Sequence, residues 1–88
     1  MAPTIGRIVS FKVDEQTART YNARKDGKAI KAGTVLPAMI VAVELYNAVN
    51  LRVFRDAASD GWELQVPFCD VTAGNGVPDG HWYWPPRV

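Results

Sequence analysis

Apolar and polar side chains alternate in short stretches along this chain, and each stretch predicts a strand. Thr4–Val13 is β-rich with partial alternation: Ile5, Val9, Phe11 and Val13 can share one face, interrupted by Arg7. Thr34–Glu44 is a nearly continuous apolar run whose β-branched residues favour a strand buried on both faces. Pro37 has no N–H to donate, which places an edge or a bulge near the start of that strand. Tyr46, Asn47 and Ala48 make a short turn, and Val49–Asp56 then alternates cleanly. Val49, Leu51 and Val53 point one way, and Asn50, Arg52 and Phe54 the other. Trp62–Phe68 alternates again, with Trp62, Leu64, Val66 and Phe68 on one side. His81–Pro86 reads as a short final strand stopped by prolines.

Polar segments separate these runs. Asp14–Gly33 contains Asp26-Gly27 and ends in Lys31-Ala32-Gly33, which predicts a long excursion with one helical turn around Glu15–Thr20. Loops this long in small domains often carry function. Ala57–Gly61 is a hairpin-like connection, and the glycine-rich Cys69–Gly80 is a loop. The pattern predicts a mostly β fold: a small five-stranded SH3-like or OB-like barrel with one long excursion between its first two strands.

Composition narrows the setting. The 88 residues make one domain, 1–88. A domain of that size removes roughly 60–65% of its unfolded surface from water, so its core is thin. Hydrophobic residues at 48% and charged ones at 22% are those of an ordinary globular chain. The longest apolar run, Val35–Val43, is shorter than the about 20 residues a bilayer requires. The first residues lack the basic-then-apolar layout of a signal peptide, so a cytoplasm is expected, with no membrane partner. A net charge of +1 argues against nucleic acid as a partner. Arg24, Lys25, Lys28 and Lys31 form either a local phosphate-attracting patch or a solvated polar loop. The lone Cys69 excludes an internal disulfide and a cysteine zinc cluster. Stability must then come from packing and, by expectation, from a second subunit in a homo-oligomer.

Motifs for catalysis are missing. A single histidine excludes a His-Glu-x-x-His zinc site, and no phosphate-binding glycine loop opens a helix. Cys69 and His81 are separated across a loop, and Asp56, Asp60, Asp70 and Asp79 sit at loop ends where aspartate favours turns. No enzyme, metal or cofactor is expected. Binding chemistry is present instead. His81, Trp82, Tyr83 and Trp84 are consecutive, so Trp82 and Trp84 share one strand face, either closing the barrel or offering a stacking platform. Arg52 beside Phe54 suits a phosphate next to a base or ribose. The candidate ligand-binding residues are therefore Asn50, Arg52, Phe54, His81, Trp82 and Trp84.

Several motifs occur in a telling order: Gly6-Arg7-Ile8-Val9, Pro37 to Val43, Val49 to Phe54, Val66-Pro67-Phe68, and Gly80 to Pro85. Together they resemble a group of small tailed-bacteriophage proteins in which a GRIV start leads to a PAIVV strand, a VNLQVF strand and a GTWHWP ending. The resemblance covers most of the chain except Asp14–Gly33, which is longer than in that pattern. It implies a phage protein acting in the host bacterial cytoplasm. Small phage proteins of this kind include nucleotide sponges, such as Thoeris anti-defence proteins, Sequestin and Lockin. By that similarity the chain would sequester a nucleotide immune signal, of ADP-ribose type or a cyclic dinucleotide. Aromatics would take the base, and arginine with backbone amides the phosphates. The alternative is an SH3-like interaction module that docks a host or virion protein through an aromatic-lined groove.

Overall fold

Apolar residues recur at alternate positions along most of the strands, and the sheet curls around them. The computed structural model describes residues 2–24, 29–55, 60–70 and 76–85. Its strands are β1 (Ile8–Lys12), β2 (Val35–Val43), β3 (Val49–Val53), β4 (Gly61–Val66) and β5 (Trp82–Tyr83). They form one antiparallel sheet in the order β4-β3-β2-β1-β5, curled into a half-barrel. Strands β1 to β4 follow one another and β5 returns beside β1. The described strands thus form the small, mostly β, barrel-like fold that the sequence pattern predicts. The chain just past β4 meets β5 in a parallel bridge between Phe68 and Trp82. Trp82 N donates to Pro67 O at 3.0 Å and Cys69 N to Trp82 O at 2.9 Å, which ties the two sheet edges together. Most of the expected Ala57–Gly61 connection, Asp56, Lys25 to Lys28, part of the Cys69–Gly80 loop, and Pro86 lie outside the described residues.

The interior holds Val9, Phe11, Val13, Ala38, Ile40, Val49, Leu51, Val53, Val66 and Trp82, all buried. Ile5 does not join them. Gly6, at φ +91°, turns the chain before β1 begins, so Ile5 stays exposed. Nor is β2 buried on both faces. Ala38 and Ile40 point inward, while Val35, Val41 and Val43 remain open, because the described helix packs on the inner side alone. Pro37 sits in a central strand, yet opposite Phe54, where the β3 ladder has already ended; Phe54 N donates to Pro37 O at 3.0 Å. No donor is needed from its ring nitrogen there. The bulge lies later, between Ile40 and Ala42.

The excursion after β1 carries a longer helix than the single turn expected, α1 (Glu15–Ala23). Asp14 caps it, its carboxylate accepting from Thr17 N at 2.7 Å. Glu15 and Arg19 pair one turn apart at 2.6 Å. Thr17, Ala18 and Tyr21 share the buried face, which explains why the helix persists past Thr20. Its anchor is Glu63 of β4, which accepts from Tyr21 Oη at 2.9 Å and from Thr17 Oγ1 at 3.3 Å. No helix among the described residues is long and apolar enough to cross a membrane.

Burial pushes the Tyr21 phenol pKa well above its usual range, and the Glu63 carboxylate adds to the rise; the Arg24 and Arg55 guanidinium groups oppose it. The neutral phenol is the form the fold favours. Its contribution is complete below the ordinary tyrosine value of about 10 and falls away as pH climbs beyond it. Tyr21→Phe should therefore lose about 1–3 kcal/mol near neutrality, because Glu63 loses its nearer donor. The same variant should show a shallower alkaline decline in melting temperature than the wild type. Parallel decline of both proteins would remove Tyr21 as the cause.

Candidate functional site

Trp82 is the largest buried side chain and is fully sealed from solvent, at 0% exposure. Its ring lies 4.6 Å from Phe68 and 5.2 Å from Trp84, centroid to centroid, and its Nε1 donates to Asn47 O at 3.0 Å. An indole so enclosed cannot stack on an outside base, so Trp82 is corrected from ligand-binding residue to core. Trp84 does share its face, as the alternation required. It is half-buried against the core, with the Arg7 guanidinium 5.5 Å from its ring centroid. His81 is half-buried, its Nδ1 3.2 Å from Asp79 O. Phe54 is half-buried just past β3.

Asn50 and Arg52 lie on the outer face of β3, opposite the buried valines and leucine, as the pattern predicted. Asn50 and Arg52 face outward while Trp82 is sealed inside, so the expected site residues do not form one surface. Arg52 finds a different aromatic partner. Its guanidinium sits 5.2 Å from the Trp62 ring centroid, and its Nε donates to Asp60 Oδ2 at 2.8 Å. Arg52 and Trp62 are cross-strand neighbours, in one outward row with Ile8 and Met39.

The reason is a phase shift in β4. Pairing places Gly61 opposite Val53 and Glu63 opposite Leu51, so Gly61 and Glu63 face inward. Trp62 and Leu64 consequently face outward, 58% and 75% exposed, and part from Val66, with which alternation alone had put them on one side. Gln65 adopts φ +52° at the register shift and returns Val66 to the interior. Asn50 braces this bulge: its Oδ1 accepts from Gln65 N at 2.9 Å, and its Nδ2 donates to Glu44 Oε1 at 3.3 Å.

Glu44 leads into the β2–β3 turn, which continues the same surface. Tyr46 (φ 59°, ψ 37°) and Asn47 (φ 60°) both take the left-handed conformation, and Ala48 N closes on Leu45 O at 3.2 Å. That is the geometry of a tight hairpin turn in which glycine and asparagine are favoured. A tyrosine held there costs about 1–3 kcal/mol. Leu45 and Tyr46 are 79% and 97% exposed, so their burial offsets none of that cost. A cavity of about 320 Å³ opens between Glu44, Leu45, Tyr46, Ala48 and Gln65. Sequence reasoning missed Tyr46, Trp62 and Leu64. An aromatic directly before Asn47 in so short a turn was the available signal for the first.

No family model, curated protein or solved structure matches the chain.

Proposed function

We propose that this chain is a non-catalytic, SH3-like interaction module that docks a protein partner on the outer face of β3 and β4 and the adjoining turn. The observation that carries it is the outward phase of β4, which leaves Trp62 and Leu64 in water on a terminal strand. Burying either side chain fully would stabilise the domain by about 1.5–3 kcal/mol, and the fold forgoes that gain. Natural sheets usually shield a terminal strand with charges, and here the exposed residues of β4 are apolar or neutral. Arg52, Trp62 and Tyr46 are also the residue types that dominate interface energetics.

A nucleotide sponge would draw on an open indole at Trp82 and on guanidinium groups facing a phosphate. Burial of Trp82 and the bridge from Arg52 to Asp60 weigh against that reading, while a docking module needs neither group.

Truncating Trp62 separates binding from folding. Trp62→Ala should weaken a captured partner about thirtyfold, a loss of about 2 kcal/mol. Its unfolding free energy should fall by less than about 1 kcal/mol, the worth of an exposed cation–π contact. Leu64→Ser should behave alike. A partner held equally by wild type and both variants would refute this surface. A melting shift with ADP-ribose or a cyclic dinucleotide would restore the nucleotide reading.

A further inference from the structure

We propose that the cavity beside the β2–β3 turn receives the basic side chain, lysine or arginine, of an extended peptide segment; this names the partner's chemistry and rests on the docking reading above. Charge argues for a cation. Glu44 is the one acidic residue among the described residues of the cavity wall, and Asn50 holds its carboxylate in place. An anionic ligand would meet repulsion there, with no basic residue among the described lining to offset it.

Shape argues for a long side chain. About 320 Å³ lies at the small end of ligand sites, room for one extended side chain but little for a dinucleotide. Leu45 and Ala48 supply apolar wall for a methylene stem, and the Tyr46 ring offers a π-face for the charge. Stability of the fold does not account for Tyr46. Glycine would take the left-handed position without strain, yet a tyrosine is held there with its ring in water. The turn is also fixed from below, by the bond from Trp82 Nε1 to Asn47 O.

Position argues for an extended segment. Among the described residues β4 pairs with β3 alone, and no described strand lies on its other side until Phe68 turns to β5. Gln65 belongs to both β4 and the cavity wall, so a peptide laid along that edge would pass the opening.

The test is a selection of short random peptides on the full chain, repeated with Glu44→Gln, Tyr46→Gly and Trp62→Ala. Peptides held by the wild type should share lysine or arginine at one position. Replacing that residue with methionine should weaken binding about tenfold, as should Glu44→Gln or Tyr46→Gly. Tyr46→Gly should meanwhile raise the unfolding midpoint, so that lost binding is not lost folding. Peptides that depend on Trp62 but show no basic preference and ignore Glu44→Gln would overturn the cation site and leave the docking reading standing. Basic peptides lost with Glu44→Gln but not with Trp62→Ala would do the reverse. A chain that retains no peptide would overturn both.

Discussion

Trp82→Ala is expected to remove a large part of the chain's folding stability and to pull its urea midpoint far below that of the wild type, a larger effect than the loss of any binding contact. Removing an aromatic from a packed core costs about 3–5 kcal/mol. Domains of this size are stable by roughly 4–13 kcal/mol in total, at 0.05–0.15 kcal/mol per residue. Trp82 stands where several constraints meet. It pairs with Phe11 of β1 on one side and bridges Phe68 on the other, and its ring fills the space between Phe68 and Trp84. Its Nε1 also reaches Asn47, so truncation frees the β2–β3 turn. Trp82→Phe keeps the ring contacts and loses the donor, and should fall between wild type and alanine in a urea titration. An alanine variant with the wild-type urea midpoint would show that the barrel does not depend on this residue.

That expectation reverses the one drawn from sequence, and the reversal shows what a linear pattern can carry. Alternation places Trp82 and Trp84 on a common face, and Val49, Leu51 and Val53 on another; both hold. Period fixes which residues share a face, but it does not say which face is the interior. For β3 the answer was unambiguous, because the opposite positions are Asn50 and Arg52. For Trp62–Phe68 alternation sets Trp62, Leu64, Val66 and Phe68 on one side without saying whether that side is the interior. One long-range contact and one local kink decide it. Glu63 is tolerable inside because Thr17 and Tyr21, more than forty positions earlier, donate to it. The left-handed Gln65 then lets the strand change phase before Val66. Neither partner is a neighbour in sequence, so no local reading could find them. The docking face was out of reach for the same reason, since the outward row of Ile8, Met39, Arg52 and Trp62 exists only through strand register.

Gly61→Ala should be the most damaging of the smallest possible changes to this chain, because Gly61 lies against the ring that anchors α1. A Cβ at that position would stand 2.0 Å from Tyr21 Oη and 2.3 Å from Tyr21 Cζ, far inside contact distance. The phenol cannot swing aside cheaply. It is buried, its hydroxyl is bonded to Glu63, and the Arg24 and Arg55 guanidinium groups lie 5.3 and 4.7 Å from its ring centroid. Either the helix lifts or β4 bends. Overpacking of this kind costs about 1–3 kcal/mol, and a rigid aromatic neighbour puts it at the upper end. Gly61 has an ordinary backbone conformation, so conformational strain at an alanine would contribute little. A double-mutant cycle isolates the contact. Tyr21→Ala alone should cost about 3–5 kcal/mol through the cavity it leaves. With the ring gone, the added methyl enters empty space, and Gly61→Ala should then cost almost nothing. The coupling recovered should be about 1–3 kcal/mol. Purely additive losses in urea unfolding would mean that the glycine serves β4 itself and not the docking of α1.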